Sequence, residues 1–275
     1  MRTKILLIII SLALVWSCQQ VEQPQRHTNE LLNAVLWMQR SAEYKALCTQ
    51  NYHLAKTMLD MALKDKNWTA ALEQTNNFKN LNPAVILDVD ETVLDNLPLE
   101  AQLIQSDKLY NDSLWNVWCD LRQAKAIPGA LDFCNYAKSK GVTVFYVTNR
   151  KNPLKEVTRD NLEKVGFPLD DEMETVLTRS KTSDKGERRS QISENYRILL
   201  LIGDNNGDFS SGFTGAAETV RDSLVSEYDK YWGTKWIVLP NPVYGDWEGA
   251  LYNYDYSLPD ARKLEDKYNA LKTGN

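Results

Sequence analysis

Histidine is nearly missing from this chain: two occur in 275 residues, His27 and His53, and both lie upstream of its acidic Asp88-Val89-Asp90-Glu91-Thr92 segment. Histidine-nucleophile phosphatases, zinc hydrolases with imidazole ligands and Ser-His-Asp hydrolases need histidine beside their chemistry, so those classes fall away. Cysteine is scarce too. Cys18, Cys48, Cys119 and Cys134 form no C-x-x-C pair, and none is followed by arginine six positions on. This argues against a structural zinc site and against a cysteine-nucleophile phosphatase loop. A disulfide-held scaffold is not expected at this size. Basic residues are not in excess: the net charge is −5, with no positive field for a nucleic-acid polymer. There are no internal repeats and no low-complexity tracts. The long apolar run, residues 5–15, is short for a bilayer span.

What remains is an ordinary globular composition, 43% apolar and 25% charged, in a length that suits one α/β domain with insertions. The chain is organised around Ala84-Val85-Ile86-Leu87-Asp88-Val89-Asp90-Glu91-Thr92-Val93-Leu94-Asp95. A short apolar, β-branched run reads as a buried parallel strand. It breaks into carboxylates at its C-terminal end, where open α/β sheets bind ligands. Asp88 and Asp90, two apart on an extended chain, share one side, and paired acids repel unless they hold a hard cation or shift a pKa.

In chain order, residues 1–18 read as an export signal: Arg2 and Lys4, an apolar core, then Leu14-Val15-Trp16-Ser17-Cys18. Residues 19–28 form a polar tether. Residues 29–64 carry apolar positions at helical spacing, as one long helix or two shorter ones, and 67–82 predicts another helix before the central strand. Residues 97–127 read as a small helical cap inserted above the sheet edge. Further strands are expected at 142–147, 175–178, 198–202 and 236–239, with helices at 130–140, 153–165 and after the polar stretch 179–189. Alternating strands and helices imply a doubly wound parallel sheet, carried with its cap by residues 83–275 and flanked by the N-terminal helical segment 29–82.

Four strand ends then bear polar groups: Asp88 with Asp90, Thr148 with Asn149, Lys185, and Asp204 with Asp208. Brought to one edge, they form an inventory for phosphoryl transfer. Carboxylates hold a divalent cation, while Lys185, Thr148 and Asn149 offset the repulsion between the acids and a phosphate. Lys185 is preferred over Lys181 because it directly precedes the Glu187-Arg188-Arg189 helix start.

These motifs, in this order, resemble the haloacid-dehalogenase-like phosphohydrolases. Asp88-Val89-Asp90-Glu91-Thr92-Val93-Leu94-Asp95-Asn96, Gly203-Asp204-Asn205-Asn206-Gly207-Asp208-Phe209 and Leu239-Pro240-Asn241-Pro242-Val243-Tyr244-Gly245-Asp246-Trp247-Glu248 narrow the resemblance. With the segment ending in Cys18, they are similar to the class C acid phosphatases, lipoproteins of the bacterial outer membrane. The resemblance implies Asp88 as nucleophile and Mg2+ ligand, and Asp90 as general acid/base with its carbonyl on the metal. It implies Asp204 as the second carboxylate ligand and Asp208 as holder of a metal-bound water. Thr148, Asn149 and Lys185 would bind the phosphoryl group. Tyr244 would stack on a nucleobase or pack in the core, with Trp115 and Trp118 as candidates for the other side of the base.

The implied partners are small phosphomonoesters, nucleoside monophosphates among them, and the membrane through a lipid on Cys18, at the outer-membrane or periplasmic face of a bacterial envelope. A homodimer is left open. Asp90 must give a proton to the leaving alcohol and then take one from water, which predicts a rate maximum in moderately acidic buffer. A second reading is a lipoprotein of the same fold that captures a nucleotide or haem. Asp88, the group that binding-only relatives lose, is intact. A phosphonatase, dehalogenase or mutase would need cap residues not recognisable here.

Overall fold

The computed structural model describes residues 29–75, 77–170 and 172–274. The expected signal, the Cys18 lipid acceptor and the tether lie outside the described residues. Ser41 splits the N-terminal segment into α1 (Leu32–Arg40) and α2 (Ala42–Lys64): its backbone is extended and its hydroxyl accepts the Tyr44 N–H, capping the second helix. The chain then builds β1 (Asn82–Leu87) and a two-residue ribbon of β2 (Leu94–Asp95) against β3 (Lys125–Ala126). Between the ribbon strands lie α3 (Leu97–Gln105) and α4 (Asp112–Leu121), the helices of the cap. There follow α5 (Ala130–Ser139), β4 (Thr143–Lys151), α6 (Lys155–Val165), β5 (Val176–Arg179), α7 (Gly186–Ser193) and β6 (Tyr196–Gly203). The chain closes with α8 (Glu218–Glu227), β7 (Trp236–Val238), α9 (Asp246–Gly249) and α10 (Asp260–Asn269).

The main sheet is parallel throughout, in the order β5-β4-β1-β6-β7. Strands β4 and β5 extend one way from β1, whereas β6 and β7 extend the other. The order therefore reverses at β1, the strand that ends in the acids, and such a reversal leaves a crevice beyond the strand ends. Alternate residues feed two cores. Val85, Leu87, Val144, Tyr146 and Ile202 pack with α2 and α5 on one face. Ala84, Ile86, Phe145, Val147, Ile198 and Leu201 pack with Phe209, Phe213 and Trp236 on the other. Burial on both faces is what the unbroken apolar runs of these strands require.

The helix expected at 67–82 is not there: the described residues of this stretch form turns. Its short polar side chains bond the local backbone instead of letting a helix propagate. Asp65 accepts the Asn67 N–H at 2.8 Å and Thr69 accepts the Ala71 N–H at 3.3 Å. Gln74 then fastens the segment to the sheet, donating to Ser193 and Tyr196 carbonyls at 2.9 and 2.7 Å and accepting Ile198 N–H at 3.1 Å. Strand β4 also runs past Val147, so Thr148, Asn149 and Arg150 are strand residues rather than a following loop. Among the described residues no helix is long and apolar enough to cross a membrane.

The cap buries an acid. Glu100 of α3 is 8% exposed, and burial, helped by Glu248, pushes its carboxyl up from 4.5 to about 7. A carboxyl whose folded pKa is raised contributes most below its unfolded pKa, and the contribution is lost as pH rises through the folded one. Glu100→Gln should therefore gain on the wild type as pH rises from 4.5 to 8. The gain should reach a few kcal/mol, because each tenfold rise in proton affinity on folding is worth about 1.4 kcal/mol. The check is the difference in melting temperature between the two proteins across that range. A pH-independent difference would mean that Glu100 ionises as freely in the folded cap as in water.

Candidate active site

The apolar run of β1 delivers Asp88 just beyond the strand, where its N–H still donates to the Ile202 carbonyl at 2.9 Å. Strand β6 ends alongside and delivers Asp204 and Asp208. One carboxylate oxygen from each of these three acids lies within 4.8 Å of the others. Gly203 makes this possible. A Cβ there would lie 2.1 Å from Asp208 Oδ2 and 2.6 Å from its Cγ, so the carboxylate folds over bare backbone. Asp208 Oδ2 accepts the Asn205 N–H at 3.0 Å, which closes the turn.

Lys185, the residue before α7, is 4% exposed. Its ammonium sits 2.5 Å from Asp88 Oδ1 and 2.6 Å from Asp208 Oδ1. Asp204 is held from both sides: Thr92 Oγ1 donates to Oδ1 at 3.1 Å, and Asn241 Nδ2 donates to Oδ2 at 2.8 Å. Burial drives the Asp88 carboxyl well above the usual range, with Lys185 opposing and Asp208 and Asp204 adding to the rise. Asp204 is pushed up to about 7 by burial and then by Asp208. Burial alone would lower Lys185, but the attraction of Asp208 and Asp88 outweighs it and the ammonium is held above its ordinary value. Three carboxylates facing one ammonium leave unbalanced negative charge on an all-oxygen donor set. That is the chemistry of a hard divalent cation site, and these residues fit one.

Asp90 occupies a different environment. Its Oδ1 accepts from Arg150 Nε and Nη2 at 3.0 and 2.8 Å and from Asn96 Nδ2 at 2.9 Å. Its Oδ2 accepts from Thr148 Oγ1 at 3.2 Å. Arg150 is almost wholly buried and lies over the Trp115 ring, 5.2 Å from its centroid. Trp118 Nε1 donates to Asn96 Oδ1 at 2.8 Å, so the cap fixes the amide that fixes Asp90. The turn itself is strained: Glu91 is non-glycine at φ 52°. It is over-determined there because its carboxylate accepts the Asn96 N–H at 2.7 Å.

Asp88, Asp90, Thr148, Lys185, Asp204 and Asp208 thus meet at one sheet edge, and Lys181 stays exposed outside it. Asn149 points the other way along the strand, exposed, and its Oδ1 accepts from Arg188 Nη2 at 2.8 Å. Arg188 Nη1 also donates to the Thr148 carbonyl at 2.5 Å, bracing the same strand end. Tyr244 is half-buried against the main core, and its N–H donates at 3.4 Å to Asn241, the residue that grips Asp204. Trp118 is used by the cap itself, at 8% exposure. Arg150, Arg188, Asn96, Thr92 and Asn241 are site residues that sequence reasoning missed. Arg150 had a signal: two past Thr148 on a strand, it must share Thr148's side. Asn241 reaches Asp204 across 37 positions, a pairing that leaves no trace in local pattern.

A family model described as HAD superfamily, subfamily IIIB (acid phosphatase), matches residues 11–247. The structure of the class C acid phosphatase from Bacillus anthracis superposes with a TM-score of 0.81 at 38% identity, covering 91% of this chain and all of that one. The same enzyme with tungstate bound superposes with a TM-score of 0.81 at 37% identity. Among curated relatives, a stem 31 kDa glycoprotein of Glycine max is 26% identical over 168 residues, or 59% of each chain. Acid phosphatase 1 of Solanum lycopersicum is 28% identical over 166 residues, 58% of this chain and 57% of that one. The chain thus spans less than two thirds of these curated relatives' length.

Proposed function

The chain belongs to subfamily IIIB of the HAD superfamily, the acid phosphatases, and from that premise we propose that it hydrolyses phosphomonoesters through an aspartyl-phosphate on Asp88. The observation that carries this reading is the convergence of Lys185 on Asp88 and Asp208, 2.5 and 2.6 Å away, beside a third acid, Asp204. With Oδ1 held by Lys185, Oδ2 of Asp88 attacks phosphorus. The bond from phosphorus to the leaving oxygen breaks, and that oxygen takes a proton from Asp90. Asp90 then removes a proton from water, the water oxygen attacks phosphorus, and the bond to Asp88 breaks to release phosphate. Arg150 and Asn96 occupy Oδ1 of Asp90, so Oδ2 is the oxygen that exchanges the proton. Asp88, Asp204 and Asp208 would hold Mg2+, which screens the acids and the phosphoryl charge when bound. A structural relative binds tungstate, a phosphate-like oxyanion, which supports a phosphate-bearing substrate for this chain. The lipid anchor on Cys18 and a place in the bacterial envelope belong to the same reading and rest on the sequence.

Nucleoside monophosphates are the proposed substrates, with Tyr244 beneath the base. Phosphate release from nucleoside monophosphates, sugar phosphates and p-nitrophenyl phosphate tests this. Tyr244→Ala should raise KM for nucleotides by about ten- to a hundredfold, the value of one base–aromatic stack, while p-nitrophenyl phosphate changes little. Equal turnover of sugar phosphates and nucleotides by the wild type would remove the nucleotide preference.

A further inference from the structure

Arg189 is a fully buried guanidinium, 0% exposed, that nothing in the reaction uses. It lies one helical turn after Lys185, on α7. Its Nη1 donates to the Gly207 and Asp208 carbonyls at 3.3 and 3.0 Å. Its Nε donates to Glu73 Oε1 at 2.9 Å, and Nη2 pairs with the same oxygen at 2.8 Å. Nη2 also donates to Ser211 Oγ at 3.4 Å, and that hydroxyl donates to Asp184 Oδ1 at 2.7 Å. Asp208 is therefore gripped at both ends from one turn of helix: Lys185 takes its carboxylate and Arg189 its carbonyl.

A buried ion pair of this kind is a poor way to gain stability, because apolar residues of similar volume do as well or better. Glu73 adds to the cost, since its Oε2 is buried without a hydrogen-bond partner among the described residues. Gly186 lets the two loops approach: a Cβ there would lie 2.3 Å from Ser211 Oγ. What this arrangement supplies is geometry at Asp208. Asp208 is one of three acids whose oxygens must stay within 4.8 Å of each other despite their repulsion.

We propose that Arg189, braced by Glu73 from the irregular segment before β1, is a positioning residue that holds Asp208 in the acidic cluster and thereby sets its affinity for a divalent cation. The proposal rests on the metal-dependent reading above. Outer partners of metal ligands typically change metal affinity by about ten- to a hundredfold when removed. Arg189→Met should raise the Mg2+ dissociation constant of the purified protein, read from the Mg2+ dependence of its melting temperature, by that factor, and Glu73→Gln should raise it less, in the same direction. Melting curves in EDTA and circular dichroism report whether each variant folds, and Glu73→Gln carries the test alone if Arg189→Met does not. A melting temperature lowered in EDTA with an unchanged Mg2+ dissociation constant in the folded variants would overturn the proposal and leave the metal reading standing. A wild type that Mg2+ does not stabilise at all would overturn both.

Discussion

Replacing Asp88 by Asn is expected to abolish phosphate release, by on the order of 10,000-fold or more, while the protein still folds. The magnitude is that of removing a covalent nucleophile, since the amide has the same shape but cannot form the phosphoryl ester. Folding persists for a reason visible in the site. Asp88 is one of three clustered acids, and burial has already driven its carboxyl well above the ordinary range. The folded state therefore bears an unfavourable charge at this position, and a neutral side chain relieves it. Lys185 keeps a partner in Asp208 at 2.6 Å. The measurement is p-nitrophenyl phosphate turnover beside a melting curve. Substantial turnover by a well-folded Asp88→Asn protein would end the aspartyl-phosphate reading and leave direct attack by water.

Chelation should have the second-largest effect. EDTA is expected to lower turnover by about a thousandfold, since a bound metal contributes several kcal/mol of charge stabilisation and each 1.4 kcal/mol is tenfold. Mg2+ should restore it, and the far-ultraviolet circular dichroism should not change, because Lys185 bridges Asp88 and Asp208 without help. The sign of the pH dependence follows from Asp204, pushed up to about 7 in the metal-free protein. Below that value the carboxyl holds a proton that a cation must displace. Half-saturating Mg2+ should therefore rise as pH falls from 7, approaching tenfold per pH unit for one displaced proton. Full activity in chelator would remove the metal from the mechanism, and a midpoint independent of pH would mean that Asp204 is ionised before the metal arrives.

Much of this site is legible in the chain alone. Parallel strands end at a common edge, so a polar group at the end of each apolar run is a local signal with a global consequence. Asp88, Thr148, Asp204 and Asp208 follow from that signal, and Lys185 from its place directly before α7. Asn149 follows from the same logic, but strand alternation turns its side chain away from Thr148, to Arg188 at 2.8 Å. The helix expected before β1 fails for a related reason: its polar residues bond their own turns, and Gln74 ties them to a strand more than 120 residues away, with a 2.7 Å bond to the Tyr196 carbonyl.

The sequence by itself determined the sheet, its order of motifs and the acids that face the crevice, because periods of two and 3.6 are written in neighbouring residues. The tertiary structure alone decided how those acids are held. Arg150 reaches Asp90 across 60 positions and Arg189 reaches Glu73 across 116. A buried cation takes whichever anion the packed fold brings within about 3 Å, and no local period encodes that choice.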